Sequence, residues 1–285
     1  MAPAMSESMV ITVFGLGEAG SLLAADLAGA GADVQGYDPA DVPTPTGVTR
    51  HQVPATAVKG SRLVIAATAA TDAQRAIAQA WDGMRRGTIY ADLSTAPPGL
   101  KMDLADTAAL RGLPFADVAL MAPVPDKGLA TPSLASGPGA ESYAGIVGPL
   151  GGRVEVIGQG PGDAAARKLL RSVVAKGLAA LVIESLEAAE AHGEADWAWE
   201  HIVELVTSAD ESFLRRLISG TPHHVDRRLF EMESARAFLE ALGVGPTMTS
   251  ATVESLRKIR DEGLPGAASV ISPKAQPQET STASS

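Results

Sequence analysis

A glycine-rich turn between a strand-like run and an alanine-rich stretch constrains the fold more than any other feature. The apolar run 10–14 leads directly into Gly15-Leu16-Gly17-Glu18-Ala19-Gly20, and helix-forming residues follow from Ser21 to about Ala30. A second strand-like run, residues 32–37, ends at Asp38. Strand, glycine turn, helix, strand and terminal acid, in this order, are typical of a βαβ unit that binds a dinucleotide.

Each of the three glycines in such a turn has a physical role. Gly15 allows the tight turn, Gly17 lets the backbone approach a pyrophosphate, and Gly20 lets the helix pack close to the strand. Unpaired N–H groups and the positive dipole end of the helix favour phosphate. We therefore predict cofactor contacts along the whole turn, from Gly15, Leu16, Gly17, Glu18, Ala19 and Gly20. The charge of Glu18 would be unfavourable beside phosphate, so its side chain is expected to cap the helix or face solvent.

Asp38 predicts which dinucleotide binds. It lies 18 residues after Gly20, where a carboxylate can accept hydrogen bonds from both ribose hydroxyls. The same carboxylate would repel a 2′-phosphate, so the sequence favours NAD, with NADP as the alternative. Thr68, which follows the apolar run 63–67, is expected to line the cofactor with its backbone, unless it is only part of a loop.

Composition excludes several other classes of protein. A length of 285 residues indicates about two domains. The formal net charge is −10 and no block of Lys or Arg stands out, which argues against nucleic acid as a partner. Without cysteine there is no disulfide or thiol chemistry, and the histidines lack the spacing of a metal site. Neither a signal peptide nor an apolar run of membrane-spanning length is evident, so we expect a cytoplasmic protein with no membrane partner.

Strand and helix signals alternate through the first half of the chain. Strands are predicted at 63–67, 88–92, 115–119, 131–136 and 153–157, and helices at 71–81, 98–111 and 140–150, the first opened by a capping box at Thr71. Residues 39–47 form a Pro/Thr-rich connection. Such alternation predicts an α/β Rossmann domain, with a doubly wound and mostly parallel sheet between layers of helices.

The pattern changes at the glycine cluster 158–162, which we take as a domain boundary. Helices are predicted at 163–192, 195–218, 225–242 and 249–261, so the second domain is all-α. The organisation is a flexible N-terminus (1–8), a dinucleotide-binding domain (9–160), an all-α substrate and dimerisation domain (161–264) and a disordered tail (265–285). Glu184, Glu187 and Glu190 form a helical stripe that is expected to face solvent. Trp197 and Trp199 are expected to pack the core or a dimer seam.

The helix that opens the second domain carries Lys168, with Ser172 one turn further and Lys176 one turn beyond that. A lysine partly desolvated against a cofactor could exchange a proton with a hydroxyl oxygen while hydride moves. The alternative is a solvated helix lysine. Ser94 and Thr95 follow a predicted strand, at the sheet edge where ligands bind in open α/β folds. Their hydroxyls could hold a substrate oxygen or could cap the following helix.

These features together resemble the β-hydroxyacid dehydrogenase superfamily, which includes 3-hydroxyisobutyrate dehydrogenase, 6-phosphogluconate dehydrogenase and the imine reductases. The resemblance covers about residues 9–262. It is closest to a poorly characterised branch with a phosphogluconate dehydrogenase-like C-terminal domain, and it is carried by 14–20, 90–98, 117–125, the Lys168 helix, 171–177 and 227–233. It implies a Rossmann domain, an active site between domains, Lys168 as acid and base, and a homodimer formed through the helical domain.

The departures from the family pattern concern the substrate. The family's Ser-Gly-Gly loop corresponds to Met121, Ala122 and Pro123, and the asparagine expected one turn after the lysine is Ser172. In the family, residues near 223 of one subunit reach the partner's active site. His223 and Arg227 could therefore contact an acidic substrate, unless the histidines of this segment are simply exposed in a loop. Imine reductases usually carry another residue at the lysine position, so Lys168 and Asp38 favour an alcohol/ketone couple.

The resulting prediction is an NAD(P)-dependent oxidoreductase. Hydride would pass between nicotinamide C4 and a hydroxyl or keto carbon of a small, acidic substrate, with Lys168 as general acid and base. One alternative is an imine reductase or an oxidative decarboxylase on the same fold. Another, from a different class, is a non-catalytic NAD-binding regulatory protein.

Overall fold

The computed structural model describes residues 9–264 and Gly266. The predicted flexible N-terminus (1–8) and disordered tail (265–285) lie outside the described residues, apart from Gly266. The chain divides into two compact units, Met1–Val173 and Val174–Ser285. The first unit includes the predicted dinucleotide-binding domain and the opening turns of the following helix.

The first unit contains an eight-stranded sheet. Its strands are β1 (Val10–Phe14), β2 (Asp33–Tyr37), β3 (Val48–His51), β4 (Leu63–Ala66), β5 (Ile89–Asp92), β6 (Phe115–Leu120), β7 (Ser133–Ser136) and β8 (Val154–Gly158). They are arranged in the order β3-β2-β1-β4-β5-β6-β7-β8. Only the β6–β7 pair is antiparallel. The α/β class with a mostly parallel sheet, predicted from the alternation of signals, is confirmed.

The helices connect and cover these strands. They are α1 (Glu18–Gly29), α2 (Pro54–Ala57), α3 (Ala73–Ala80), α4 (Pro98–Ala109), α5 (Ala140–Val147), α6 (Asp163–His192), α7 (Ala195–Thr207), α8 (Glu211–His223), α9 (Val225–Ala241) and α10 (Thr247–Glu262). Because α6 to α10 follow without an intervening strand in the described chain, the all-α character of the C-terminal half is confirmed.

Burial on both sides of the sheet follows from the alternation of side chains along buried strands. Ile11 and Val13 of β1 pack with Leu23 and Leu27 of α1. Phe14, on the opposite side, belongs to a second cluster that α3 and α4 complete. Two apolar layers therefore enclose the sheet, as in a doubly wound fold.

The structure differs from the sequence-based prediction in four elements. Strand β3 and helix α2 were not predicted, because β3 is a half-exposed edge strand that pairs only with β2 and shows no apolar run. The capping box at Thr71 is wrong: a 3-10 turn, Ala70–Asp72, precedes α3, and no side chain caps that helix. The predicted helix 195–218 is two helices. Asp210 begins the second by accepting a hydrogen bond from the Phe213 N–H at 2.7 Å.

The prediction that three glutamates of α6 face solvent is wrong for Glu184. Its side chain is buried, whereas Glu187 and Glu190 are exposed. Its carboxylate accepts hydrogen bonds from the N–H groups of Met248 (2.6 Å) and Thr249 (2.8 Å) at the start of α10. Burial alone would raise the pKa of Glu184. The hydrogen bonds from the Thr249 hydroxyl and from these N–H groups outweigh burial, so the pKa lies below its usual value.

The helical unit leaves many large apolar side chains exposed. Trp197 and Trp199 are 63% and 55% exposed, so neither packs in a core within the chain. Others on α6 to α8 include Val174, Leu181, Ile183, Leu205 and Leu214. None of the helices in the described ranges combines the length and the apolar character needed to cross a membrane.

Candidate functional site

The glycine turn has the geometry that its sequence predicts. Gly15 has φ +85°, and a Cβ at this position would lie 2.5 Å from the carbonyl oxygen of Ala67. A Cβ at Gly20 would lie 1.8 Å from the carbonyl oxygen of Gly15. Gly17, in contrast, is exposed and has no atom within 4 Å of its Cβ position. Gly15 and Gly20 are therefore required for packing, whereas Gly17 leaves open space in front of the helix.

That open space lies at the N-terminus of α1, where Gly17 is the N-cap residue and no side chain caps the helix. Glu18 is exposed, so of the two alternatives for this residue the structure shows the solvent-facing one. Ala19 is half-buried beside it. The arrangement offers first-turn N–H groups and the positive end of the helix dipole to an anionic ligand.

Asp38 joins the end of β2 to the glycine turn. Its Oδ2 accepts a hydrogen bond from the Leu16 N–H at 2.7 Å, and its Oδ1 accepts one from the Ala40 N–H at 2.8 Å. Each carboxylate oxygen has a further lone pair for a ribose hydroxyl. The carboxylate is thus held in place before any ligand binds.

Arg50 on the edge strand β3 holds the segment that carries Asp38. Its guanidinium donates hydrogen bonds to the carbonyl oxygens of Asp38, Ala40 and Val42. Sequence reasoning missed this residue because it missed β3. An arginine 12 residues after the terminal acid of β2 was the only signal available.

A cavity of about 240 Å³ opens beside the turn. Its lining includes four residues that were predicted to contact the cofactor: Gly15, Gly17, Asp38 and Thr68. It also includes two residues of α3 that the sequence did not single out, Arg75 and Gln79. The Thr68 hydroxyl oxygen is buried and has no hydrogen-bond partner among the described residues. An unpartnered buried hydroxyl is unfavourable, and its position on the cavity wall fits a group that bonds a ligand.

Lys168 and Thr95 meet, although 73 residues separate them. The Lys168 Nζ donates a hydrogen bond to the Thr95 Oγ1 at 3.0 Å. Lys168 is half-buried on α6, and Thr95 is exposed just beyond the carboxyl end of β5. Ser172 is half-buried one turn further along the helix. The structure therefore brings two of the predicted site residues into contact within the first unit.

Ser94 is oriented differently from its neighbour. Its side chain is buried, and its hydroxyl donates a hydrogen bond to Asp92 Oδ1 at 2.5 Å. The N-cap of α4 is Pro97, and no side chain caps this helix, so Ser94 does not serve as a cap. Its hydroxyl holds the end of β5 in place.

Asp92 also belongs to a charged cluster that the sequence analysis missed. The cluster consists of Lys101 of α4, Asp92 of β5 and Asp117 of β6. All three side chains are fully buried. The Lys101 Nζ lies 2.6 Å from Asp92 Oδ1, 2.9 Å from the Asp92 carbonyl oxygen and 3.1 Å from Asp117 Oδ1. Because Asp92 and Asp117 are register partners in adjacent strands, one ammonium reaches both.

The predicted substrate loop presents few polar side-chain groups. Met121 and Ala122 are half-buried and Pro123 is exposed. The Met121 N–H donates to the Pro132 carbonyl oxygen at 2.8 Å, which ties the loop to the start of β7. These three side chains provide no hydrogen-bond donor for a carboxylate.

His223 and Arg227 belong to the second unit. His223 is the last residue of α8, not part of a loop, and its Nδ1 lies 2.9 Å from the Ser219 carbonyl oxygen. Arg227 forms an exposed ion pair with Glu231 at 3.0 Å. Their contact with substrate stays a prediction.

Comparison with known families defines the class of protein. Residues 10–124 match the model described as the NAD binding domain of 6-phosphogluconate dehydrogenase, and residues 189–259 match the domain of unknown function DUF1932. The chain therefore joins an NAD(P)-binding domain of the 6-phosphogluconate dehydrogenase type to a DUF1932 C-terminal domain, which confirms the resemblance seen in the sequence. A search of curated proteins gives no significant match.

Solved structures share this architecture. A conserved hypothetical protein from Sinorhizobium meliloti is 27% identical, with 91% of this chain and 92% of that chain covered and a TM-score of 0.59. A conserved protein of unknown function, described as structurally similar to 3-hydroxyacid dehydrogenases, is 28% identical (89% and 97% covered, TM-score 0.57). A variant imine reductase from Myxococcus stipitatus in complex with NAD+ is 18% identical (90% and 95% covered, TM-score 0.76), which shows the fold alone.

Replacing Thr68 by Val tests whether its hydroxyl contacts the dinucleotide. We expect the dissociation constant of the tighter-binding reduced nucleotide to rise about fivefold, because one hydrogen bond contributes about 1 kcal/mol. The unfolding free energy should stay equal or rise, since an unpartnered buried hydroxyl is removed. Fluorescence titration and urea denaturation provide the two measurements.

The matched control is Thr12→Val. The Thr12 hydroxyl is fully buried and bonds Ala57 O (2.7 Å) and Ser61 Oγ (2.6 Å). This variant should lose about 1 kcal/mol of stability and keep its nucleotide affinity. Unchanged affinity in Thr68→Val would remove that hydroxyl from the binding site.

Proposed function

We propose that the protein is an NAD-dependent oxidoreductase that acts on a hydroxyl or keto carbon of a small substrate, with Lys168 as general acid and base. The observation that carries this proposal is the hydrogen bond between Lys168 Nζ and Thr95 Oγ1. It lies in the same compact unit as the glycine turn, just beyond the carboxyl end of a parallel strand. Ligands of open α/β folds bind at this edge.

The bound dinucleotide would accept or supply hydride at its nicotinamide C4. In the oxidation direction, the neutral Lys168 Nζ takes the proton of the substrate hydroxyl. Hydride leaves the carbon that bears this hydroxyl, so that a carbonyl remains. In reduction, it returns the proton to the carbonyl oxygen. The Thr95 hydroxyl orients the lysine, and Ser172 helps to position the substrate oxygen. Half-burial of Lys168 limits its hydration, which favours exchange of the proton.

The substrate is proposed to be small and acidic, on the basis of His223 and Arg227. Arg227 is cationic and His223 can become cationic, and both side chains are exposed in the helical unit. The side chains of loop 121–123 provide no donor for a carboxylate, so side-chain recognition of an acidic group would depend on these two residues. The resembled family supplies such residues from the partner subunit.

Replacing Lys168 by Met should lower turnover by about two orders of magnitude or more, the usual worth of acid–base catalysis. The affinity for the dinucleotide should barely change, because neither Lys168 nor Thr95 lines the cavity beside the glycine turn. The measurement is the steady-state rate on a panel of hydroxy acids, aldehydes and ketones in both directions. Lys258→Met, an exposed lysine paired with Glu262, is the control. Near-normal turnover of Lys168→Met would refute the assignment of Lys168.

A second chemistry on the same fold is imine reduction, which the structural likeness to imine reductases favours. The same panel therefore includes ketones with amines and cyclic imines, and its products are analysed for amine and for CO₂. Amine formation would support imine reduction, and released CO₂ would indicate oxidation followed by decarboxylation. Dinucleotide binding without turnover of any substrate would indicate a regulatory protein.

For the cofactor, we propose a preference for NAD. Asp38 is held by Leu16 and Ala40 with its carboxylate on the cavity wall, where it would bind ribose hydroxyls and repel a 2′-phosphate. Arg75, which lines the same cavity, is paired with Asp72 at 2.6 Å. That pairing reduces its attraction for a phosphate.

Replacing Asp38 by Ala should lower the ratio of the NADPH to the NADH dissociation constant by about tenfold, since a repulsion of about 1.4 kcal/mol is removed. Paired titrations with both nucleotides provide the measurement. Asp41→Ala, an exposed acid of the same segment, is the control and should keep the ratio of the unmodified protein. Equal affinity of the unmodified protein for both nucleotides would contradict the preference.

We also propose that the protein is a homodimer formed through its helical domain. The large apolar side chains exposed on α6 to α8 exceed what an isolated domain commonly leaves in water. A second copy would cover them, and a homodimer through the helical domain is what the resemblance to the β-hydroxyacid dehydrogenase superfamily implies.

Sedimentation equilibrium at micromolar concentration should show a dimer. Leu181→Glu, on the exposed apolar surface, should raise the dimer dissociation constant at least about tenfold, because a charge would be buried in an apolar contact. Leu110→Glu is the matched control, since Leu110 is 83% exposed in the first unit. A monomeric unmodified protein would contradict the proposal.

A further inference from the structure

Hydrogen bonds join the buried cluster of Lys101, Asp92 and Asp117 to the chain segments that carry Thr95 and Lys168. On one side, Asp92 Oδ1 accepts the hydroxyl of Ser94, the residue that precedes Thr95. On the other side, Asp117 accepts a hydrogen bond from the N–H of a residue three positions before Lys168. The cluster is thus joined to the residue before Thr95 and to the first turn of the helix that carries Lys168.

The second path runs through the start of α6. Asp117 Oδ2 accepts the Ala165 N–H at 2.9 Å and the Ser136 hydroxyl at 3.3 Å. The Ser136 Oγ in turn accepts the Ala164 N–H at 3.0 Å. These N–H groups have no partner within the helix, so β6 and β7 together cap the helix that carries Lys168.

Lys101 makes this arrangement possible. Its ammonium donates hydrogen bonds to Asp92 Oδ1 and to the Asp92 carbonyl oxygen, and it forms an ion pair with Asp117 Oδ1 at 3.1 Å. Without this cation, two fully buried carboxylates would face each other across adjacent strands. The N-terminal dipole of α6, with about half a positive charge, offsets the remaining negative charge.

Apolar side chains of the same volume would generally hold this part of the core as well as a buried ion cluster does. A role in orienting the neighbouring pair accounts for the charges. We propose that Lys101 is a positioning residue, which acts through Asp92 and Asp117 to fix the geometry and the electrostatic surroundings of Lys168 and Thr95. The role in proton transfer depends on the proposed function, whereas the coupling to Lys168 does not.

The coupling can be measured without a substrate, through the rate at which an N-hydroxysuccinimide ester acylates Lys168. Mass spectrometry of the digested protein gives this rate relative to Lys258, an internal reference in the helical unit. The variants are Lys101→Met and Asp117→Asn, each of which removes one buried charge and nearly preserves shape. The other charged groups at the start of α6, Asp163, Arg167 and Arg171, are the same in both variants.

The two variants should change the relative rate in opposite directions. Asp117→Asn removes a negative charge that favours the ammonium form, so Lys168 should react about threefold faster. Lys101→Met leaves the carboxylates without their cation, so Lys168 should react about threefold more slowly. A purely structural role would loosen α6 in both variants and shift both rates in the same direction, toward that of an exposed lysine.

Unchanged rates, or two shifts of the same sign, would overturn the proposal. If Lys101→Met does not fold, as judged by circular dichroism, the acceleration in Asp117→Asn decides alone, and an unchanged or lower rate there overturns it. Thr12→Val controls for loss of stability in the same unit and should leave the Lys168 rate unchanged. With an identified substrate, Lys101→Met should lower kcat at least about tenfold with KM within about twofold. If the proposed reaction is wrong, only this kcat and KM result will differ from the expectation, and the acylation rates will not.

Discussion

The close backbone contacts at the glycine turn are the constraint on which the proposed nucleotide site depends. Gly20 of α1 approaches the Gly15 carbonyl oxygen so closely that a Cβ would lie 1.8 Å from it, and Gly15 approaches Ala67 after β4 in the same way. Three elements therefore meet with only backbone atoms between them. This approach places the start of α1, the end of β2 and the segment after β4 around one cavity.

The Lys168–Thr95 pair depends on a different interaction, at the neighbouring strands. Parallel pairing places Asp92, at the end of β5, opposite Asp117 within β6, and both carboxylates lie against the ammonium of Lys101. The first turn of α6 is attached to β6 and β7 through Asp117 and Ser136. Backbone contacts thus shape the cavity beside the glycine turn, and buried charged groups hold the helix of the predicted proton carrier.

The sequence was most informative where a local pattern and a long-range requirement coincide. The turn 15–20, the long helix α6 and the alternation through residue 158 gave the fold, because glycine spacing and apolar runs reflect close packing directly. Strand β3 carries no such pattern, so Arg50 was missed with it. Lys101 was missed because a lysine inside a helical stretch looks solvated. Only the structure shows that its neighbours in space are two carboxylates from other strands.

Asp38 closes the glycine turn in addition to its proposed role toward the coenzyme, and on that proposal the turn limits how coenzyme use can change. Besides facing the cavity, its Oδ2 receives the Leu16 N–H and so closes the glycine turn onto β2. A substitution that creates room for an additional phosphate also removes an acceptor from a backbone donor in the turn. Evolution or engineering toward the phosphorylated coenzyme would proceed more readily through asparagine or serine, which keep an oxygen at this position, than through alanine or a purely cationic side chain.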